Sequence, residues 1–122
     1  MPEKDKLSKG SYILFLRLDE KGKIDIGRLG SFHFKSGLYL YVGSGMNNLD
    51  KRVERHLSNN KKKHWHIDYF LEEGEVVGTV KFRTKQDIEC KLNGIVSEIC
   101  EETPVEGFGS SDCSCEAHFH FY

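Results

Sequence analysis

No apolar run in this sequence approaches the ~20 residues that a membrane-crossing helix needs. The longest, residues 13–16 and 38–42, have the length of strands. The first residues include Glu3, Lys4, Asp5 and Lys6 and hold no apolar export core, so the chain reads as soluble and cytoplasmic, with no membrane partner. An excess of charge is missing too. Eighteen Lys and Arg stand against 19 Asp and Glu for a net charge of −1, unlike proteins that coat nucleic acid indiscriminately. Internal repeats and low-complexity stretches are absent. With 122 residues, 38% of them hydrophobic, the chain suits one domain with one core, so residues 1–122 are expected to form a single domain whose residues 1–9 are a polar leader. The four cysteines have no export signal beside them. They read as reduced thiols or metal ligands rather than disulfides.

What charge there is lies unevenly. Residues 51–63 carry six Lys or Arg against one Glu, whereas residues 101–122 carry five acids and no Lys or Arg. One end of the fold is therefore suited to meet phosphates and the other to repel them.

The hydrophobic pattern predicts a strand over 11–18, closed by the turn-like Asp19-Glu20-Lys21-Gly22. A short strand over 23–26 is expected to pair back on it, followed by another at 32–34. Residues 38–42, apolar and flanked by Gly37 and Gly43, predict a central strand. Over 47–58 the period becomes helical: Leu49, Val53 and Leu57 form one stripe, with Asn47 or Asn48 to cap it and Asp50 at the positive end of the dipole. Residues 64–71 fit a strand or two helical turns. Residues 75–83 predict a strand. Thr84 and Asp87 resemble a capping box before a second helix marked by Ile88, Leu92, Ile95, Val96 and Ile99 and ending near Cys100. A terminal strand is expected at 118–122. This order predicts an α+β fold, a small and largely antiparallel central sheet flanked by helices.

Gly10-Ser11-Tyr12 opens the first strand, Tyr41-Val42-Gly43-Ser44 closes the central one, and the next helix carries Arg52, Arg55 and His56. Together with Glu89 on the later helix, these motifs resemble the GIY-YIG nuclease superfamily. His64-Trp65-His66-Ile67-Asp68-Tyr69, Glu89-Cys90 and the ending 107–113 resemble, over nearly the whole chain, its archaeal-type branch known as a domain of unknown function. The resemblance implies a metal-dependent endonuclease hydrolysing phosphodiester bonds. Tyr12 and Tyr41 would be the paired tyrosines, Arg52 the phosphate-binding arginine, His56 the histidine that follows it, and Glu89 the ligand of Mg²⁺ or Mn²⁺. Three departures stand out: Gly-Ser-Tyr in the first motif, a long gap between Tyr12 and Tyr41 that adds a hairpin at 22–37, and no alignable Asn after Glu89.

Each role has a physical side. At about 100° per residue, Arg52 and His56 share a flank of the apolar stripe while Arg55 points more to solvent. Glu89 and Asn93 border the apolar face of the later helix, and Cys90 points away from it. A carboxylate, phosphate and water are the ligands that hard divalent cations take. Arg offers a planar fork to phosphate. A phenol has an ordinary pKa of about 10, so either tyrosine needs the metal or the arginine nearby to act as base, and the choice between Tyr12 and Tyr41 stays open.

Plainer roles compete with these. Strand tyrosines commonly pack, a helix arginine is commonly solvated, and Lys61, Lys62 and Lys63 fit a solvated loop as well as a phosphate contact beside Arg55. Trp65 reads as a core anchor, and His64, His66 and Asp68 as partners of nearby backbone. Cys113, Cys115, His118 and His120 offer donors for zinc, although strand alternation would separate the cysteines from the histidines, and buried thiols in a turn are the alternative. Cys90 or His64 would supply a further ligand if the tail folds back. The sequence thus predicts a nuclease acting on nucleic acid, DNA and structure-selective, with a place in repair. Its rivals are an inactive nucleic-acid-binding module and a zinc-stabilised interaction scaffold.

Overall fold

A computed structural model describes residues 8–58, 63, 65–109 and 115–122. Four strands form one antiparallel sheet in the order β5-β1-β4-β6: β1 is Gly10–Leu18, β4 Gly37–Ser44, β5 Glu75–Arg83 and β6 Phe119–Phe121. The expected α+β class is the one observed. The two most apolar strands lie side by side in the middle, where both faces are covered.

Strand alternation divides the buried residues between the two faces. Tyr12, Leu14, Leu16 and Leu18 of β1 join Tyr39 and Tyr41 of β4 in a large cluster with Phe70, Phe108 and Phe119. Ile13, Leu40 and Val42 point the other way, against Leu92 and Val96. The chain expected to bury one core therefore buries two clusters, one on each side of a single sheet.

β2 (Gly22–Asp25) does not pair back on β1 as expected. It pairs with β3 (Ser31–Phe34) in a separate two-stranded sheet, Gly22 opposite Phe34 and Asp25 opposite Ser31. β1 already has β4 and β5 on its two sides, so it has no free edge. The hairpin instead plugs the large cluster with Ile24, Ile26 and Phe34, whose ring meets Phe70 edge-on at 5.4 Å.

Helix α1 is Leu49–Leu57, capped by Asn48, whose side-chain oxygen accepts from the Lys51 amide at 3.0 Å. Its buried stripe is Leu49, Val53 and His56; Leu57, expected inside, is 53% exposed. Residues left open between strand and helix form a short α2, His66–Phe70, in which the Asp68 carboxylate accepts from the Trp65 amide at 2.9 Å. Helix α3 is Glu89–Ile99. No capping box starts it: the Thr84 hydroxyl accepts from Gln86 and the Asp87 carboxylate from the Glu89 amide. Of its apolar residues Leu92 and Val96 pack on the sheet, while Ile95 and Ile99 are 57% and 59% exposed, because the helix meets that face along one line of side chains. Among the described residues no helix is long and apolar enough to cross a membrane.

Candidate functional site

Tyr12 stands directly opposite Gly43 in the β1–β4 register, and a Cβ on Gly43 would sit 2.5 Å from the phenol Cζ. A Cβ on Gly10 would likewise sit 3.0 Å from the Phe82 carbonyl carbon of β5 and closer still to its oxygen. The two glycines of the motifs are thus spaces, one for the ring of Tyr12 and one for the backbone of the neighbouring strand. Neither is needed for an unusual φ.

The five residues expected to form the site come together here. The Tyr12 hydroxyl lies 2.6 Å from His56 Nε2, and the rings of Tyr12 and Tyr41 are 6.4 Å apart, with His56 edge-on to Tyr41 at 6.0 Å. Arg52 donates to the Ser44 carbonyl at 2.9 Å and stacks on Trp65 at 4.5 Å. The Ser44 hydroxyl donates to one Glu89 oxygen at 2.6 Å, and His118 Nδ1 lies 2.8 Å from the other. Ser44 therefore links the arginine to the carboxylate, a role that its place after Gly43 did not advertise.

Burial, with Tyr41 and Glu89 nearby, pushes the Tyr12 phenol well above the ordinary tyrosine range; Arg52, hydrogen-bonded to it, works the other way. Burial and Glu89 push Tyr41 up as well. Both phenols are therefore protonated at neutral pH. Arg52 can only donate to the Tyr12 oxygen, so the phenol proton is left to point at His56 Nε2, which accepts it in the neutral tautomer. At Glu89 burial would raise the carboxyl, but hydrogen bonds from His118 and Ser44 and the charges of His118 and Arg52 outweigh it, and the group stays ionised.

Arg55 does not point to open solvent. Its two terminal guanidinium nitrogens each donate to an oxygen of Asp68 at 3.0 Å, and it stacks on Trp65 at 4.2 Å. The Asp68 side chain is 1% exposed, so this is an anchor between α1 and α2. Trp65, expected as a core anchor, is half-buried between two arginines and the large cluster. His66 accepts from the Gly109 amide at 2.9 Å. Lys63 pairs with Glu72 at 2.9 Å. Lys61, Lys62, His64 and Cys113 lie outside the described residues.

A sulfur from each of Cys90 and Cys115 and a ring nitrogen of His118 lie within 4.8 Å of one another, a group able to hold a metal ion. Strand alternation does not separate Cys115 from His118, because β6 starts only at Phe119 and the chain turns before it. His120, the other candidate, is engaged elsewhere: Nε2 meets the Asn93 side-chain oxygen at 2.7 Å and Nδ1 the Thr103 hydroxyl at 2.9 Å. Asn93 also donates to the Ala117 carbonyl, so it ties α3 to the tail.

Fold and site together define a small antiparallel α+β protein in which a tyrosine, a histidine, an arginine and a glutamate meet beside its central strands. A family model described as "Domain of unknown function DUF123" matches residues 11–122, and the chain belongs to that family. No curated protein and no solved structure matches it.

Proposed function

We propose that this chain is a metal-dependent endonuclease of the GIY-YIG kind. The observation that carries this reading is the Tyr12 to His56 hydrogen bond, 2.6 Å long, set beside Arg52 and an ionised Glu89. Phosphodiester hydrolysis needs a base for the attacking water and positive charge around the phosphoryl oxygens. In this reading Tyr12 is the base rather than Tyr41. Its oxygen takes a proton from water as its own proton passes to His56 Nε2, so the phenol never has to exist as a free phenolate. The forked Arg52 side chain donates to the phosphate.

Glu89 fits the role of hard-metal ligand. Each carboxylate oxygen accepts one hydrogen bond in the structure and keeps a second lone pair. One carboxylate with water and phosphate oxygens is a usual set for Mg²⁺ or Mn²⁺, which when bound supplies charge neutralisation at the phosphate.

The substrate in this reading is DNA in the cytoplasm, read by shape and backbone, and the setting is repair. The part of this reading that has structural support is contact with a phosphate backbone, for which the hairpin offers a hollow of about 520 Å³ lined by Lys21, Lys23, His33, Phe34 and Lys35. Two other readings have an observation each. The 1% exposure of Tyr12 favours a module that binds nucleic acid without cutting it. The Cys90, Cys115 and His118 group favours a zinc-stabilised interaction scaffold.

The test is cleavage of labelled single-stranded, duplex, flap and branched DNA, and of matching RNA, with Mg²⁺ or Mn²⁺. Removing one charge-stabilising donor at such a centre costs about 10²–10³ in rate, and Glu89→Gln and Arg52→Ala should each lose at least that much. Tyr12→Phe should fall further than Tyr41→Phe. Equal cleavage by the native protein and the Glu89 and Arg52 variants, or none by any of them, would end the catalytic assignment.

A further inference from the structure

The imidazole of His118 faces two acceptors with one nitrogen. Nδ1 lies 2.8 Å from a Glu89 oxygen and 3.1 Å from the Val42 carbonyl, and neither atom can donate, so Nδ1 carries a proton. In the neutral ring the lone pair then sits on Nε2. The ring is held in place: the His118 amide donates to the Phe108 carbonyl at 2.8 Å and its carbonyl accepts from Val42 at 2.9 Å. Cys90 is exposed on the first turn of α3, next in sequence to Glu89, and Cys115 is half-buried in the turn before β6.

We infer that Cys90, Cys115 and His118 hold a zinc ion through two thiolates and Nε2, and that Glu89, bonded to the opposite nitrogen of the same ring, couples that site to the candidate active centre. Two sulfurs and an imidazole form the soft donor set that selects zinc over Mg²⁺ or Ca²⁺. Around tetrahedral zinc, bonds of about 2.3 Å to sulfur and 2.0–2.1 Å to nitrogen place neighbouring donors about 3.5–3.8 Å apart. The two sulfurs and one ring nitrogen of His118 already lie within 4.8 Å of one another, so closing on the ion calls for a movement of about 1 Å or more. An exposed cysteine side chain at the start of a helix can supply that movement. Water or another donor completes the tetrahedron.

A carboxylate on the far nitrogen of a metal-bound histidine fixes its tautomer and raises its basicity. Because coupling free energy is reciprocal, whatever zinc does to fix Glu89, Glu89 does to tighten zinc. The inference deepens the proposed role of Glu89 and rests on it for its consequence in catalysis, while the zinc site stands on its own donors. Zinc would tie the start of α3 to the tail and hold the Glu89 carboxylate against Ser44.

The experiment is a zinc titration of the whole protein, prepared reduced, against a chelator of known affinity, with Co²⁺ substitution as a spectroscopic check. We expect one zinc per chain, thiolate-to-Co²⁺ charge-transfer bands, and loss of both in Cys90→Ser, whose exposed position allows the variant to fold. Glu89→Gln should keep the Co²⁺ bands and weaken zinc about 10–100-fold. Failure of the native chain to hold zinc, or equal affinity in Cys90→Ser, overturns the site; unchanged affinity in Glu89→Gln overturns the coupling. None of these readings uses cleavage. A protein that cuts nothing yet shows the zinc effects loses only its nuclease assignment, and one that cuts without them loses only this inference.

Discussion

Gly43→Ala tests whether the second glycine motif exists to seat Tyr12. The added methyl would sit 2.5 Å from the phenol Cζ, where nonbonded carbons need well over 3 Å, so either the ring or β4 must move. The ring is 1% exposed and packed beside Tyr41 and His56, so it has little room. Overpacking of this kind costs about 1–3 kcal/mol. If the ring swings and breaks its bond to His56, a buried polar group is orphaned at a further cost of about 1–3 kcal/mol. The total is about 2–6 kcal/mol against a relief of about 0.4–1 kcal/mol from the stiffer unfolded chain. With an unfolding entropy of about 2.1 cal/mol/K per residue, 122 residues lose about 4 °C of Tm for each kcal/mol, so the net loss should lower the melting point by about 4–22 °C. The assay is a double-mutant cycle by thermal and urea unfolding. Tyr12→Ala alone opens a cavity and destabilises, but in that background the methyl of Gly43→Ala enters vacant space and its cost should shrink to near zero. An equal cost in both backgrounds would refute the steric reasoning.

Arg55→Ala should destabilise by about 3 kcal/mol, the low end for breaking a buried ion pair, since it takes the countercharge from Asp68 at 1% exposure, although the Trp65 amide still donates to that carboxylate and Arg55 itself keeps 27%. A loss below about 1 kcal/mol in urea unfolding would mark the pair as an ordinary surface contact. Asp50, at the start of α1, receives hydrogen bonds from Arg83 and Lys81 of β5, which hold its carboxyl well below its ordinary 3.8. A depressed folded pKa means that the unfolded chain binds the proton first as pH falls, so this stabilisation is whole above about pH 4 and drains away below it. Asp50→Asn should therefore be less stable than the native protein near about pH 6, by a margin that narrows steadily as the pH falls from about 4 to about 2. A constant gap between the two across that range would show that Asp50 is not the group responsible.

The strands were legible because each ends on a local signal. The 75–83 segment is strand over its whole predicted length, and Asn48 caps α1 as its chemistry suggests. Local pattern is silent where a distant partner decides. Spacing alone put Leu57 inside α1, yet the turn is rotated so that His56 meets Tyr12, a partner on a strand far earlier in the chain. The same holds for Arg55, whose solvent-facing position on a helical wheel says nothing of Asp68 on the next helix. The set Tyr12, Tyr41, Arg52, His56 and Glu89 could be named in sequence, since order and residue type carry it. Its bond to His118 could not, because alternation along a tail strand sets Cys115 and His118 on opposite faces, whereas β6 starts only at Phe119.

The strand order also dictates how the molecule must be assembled. β1 is made before its partners among the described strands but sits in the middle of the sheet, with Gly10 opposite Arg83 on one side and Ser11 opposite Ser44 on the other. Its local neighbour β2 pairs elsewhere, so nothing nearby in the chain can satisfy its backbone. Each pairing closes a long loop before any contact repays the lost entropy, which slows folding relative to a helical protein of equal length. During synthesis one edge of β1 stays unpaired until residue 83 has emerged, and its apolar residues stay uncovered longer, until Leu92, Val96 and Phe108 follow. The window in which Ile13, Leu14, Phe15 and Leu16 can find a wrong partner is therefore set by the ribosome's pace, and slowing translation between β4 and β5 lengthens it.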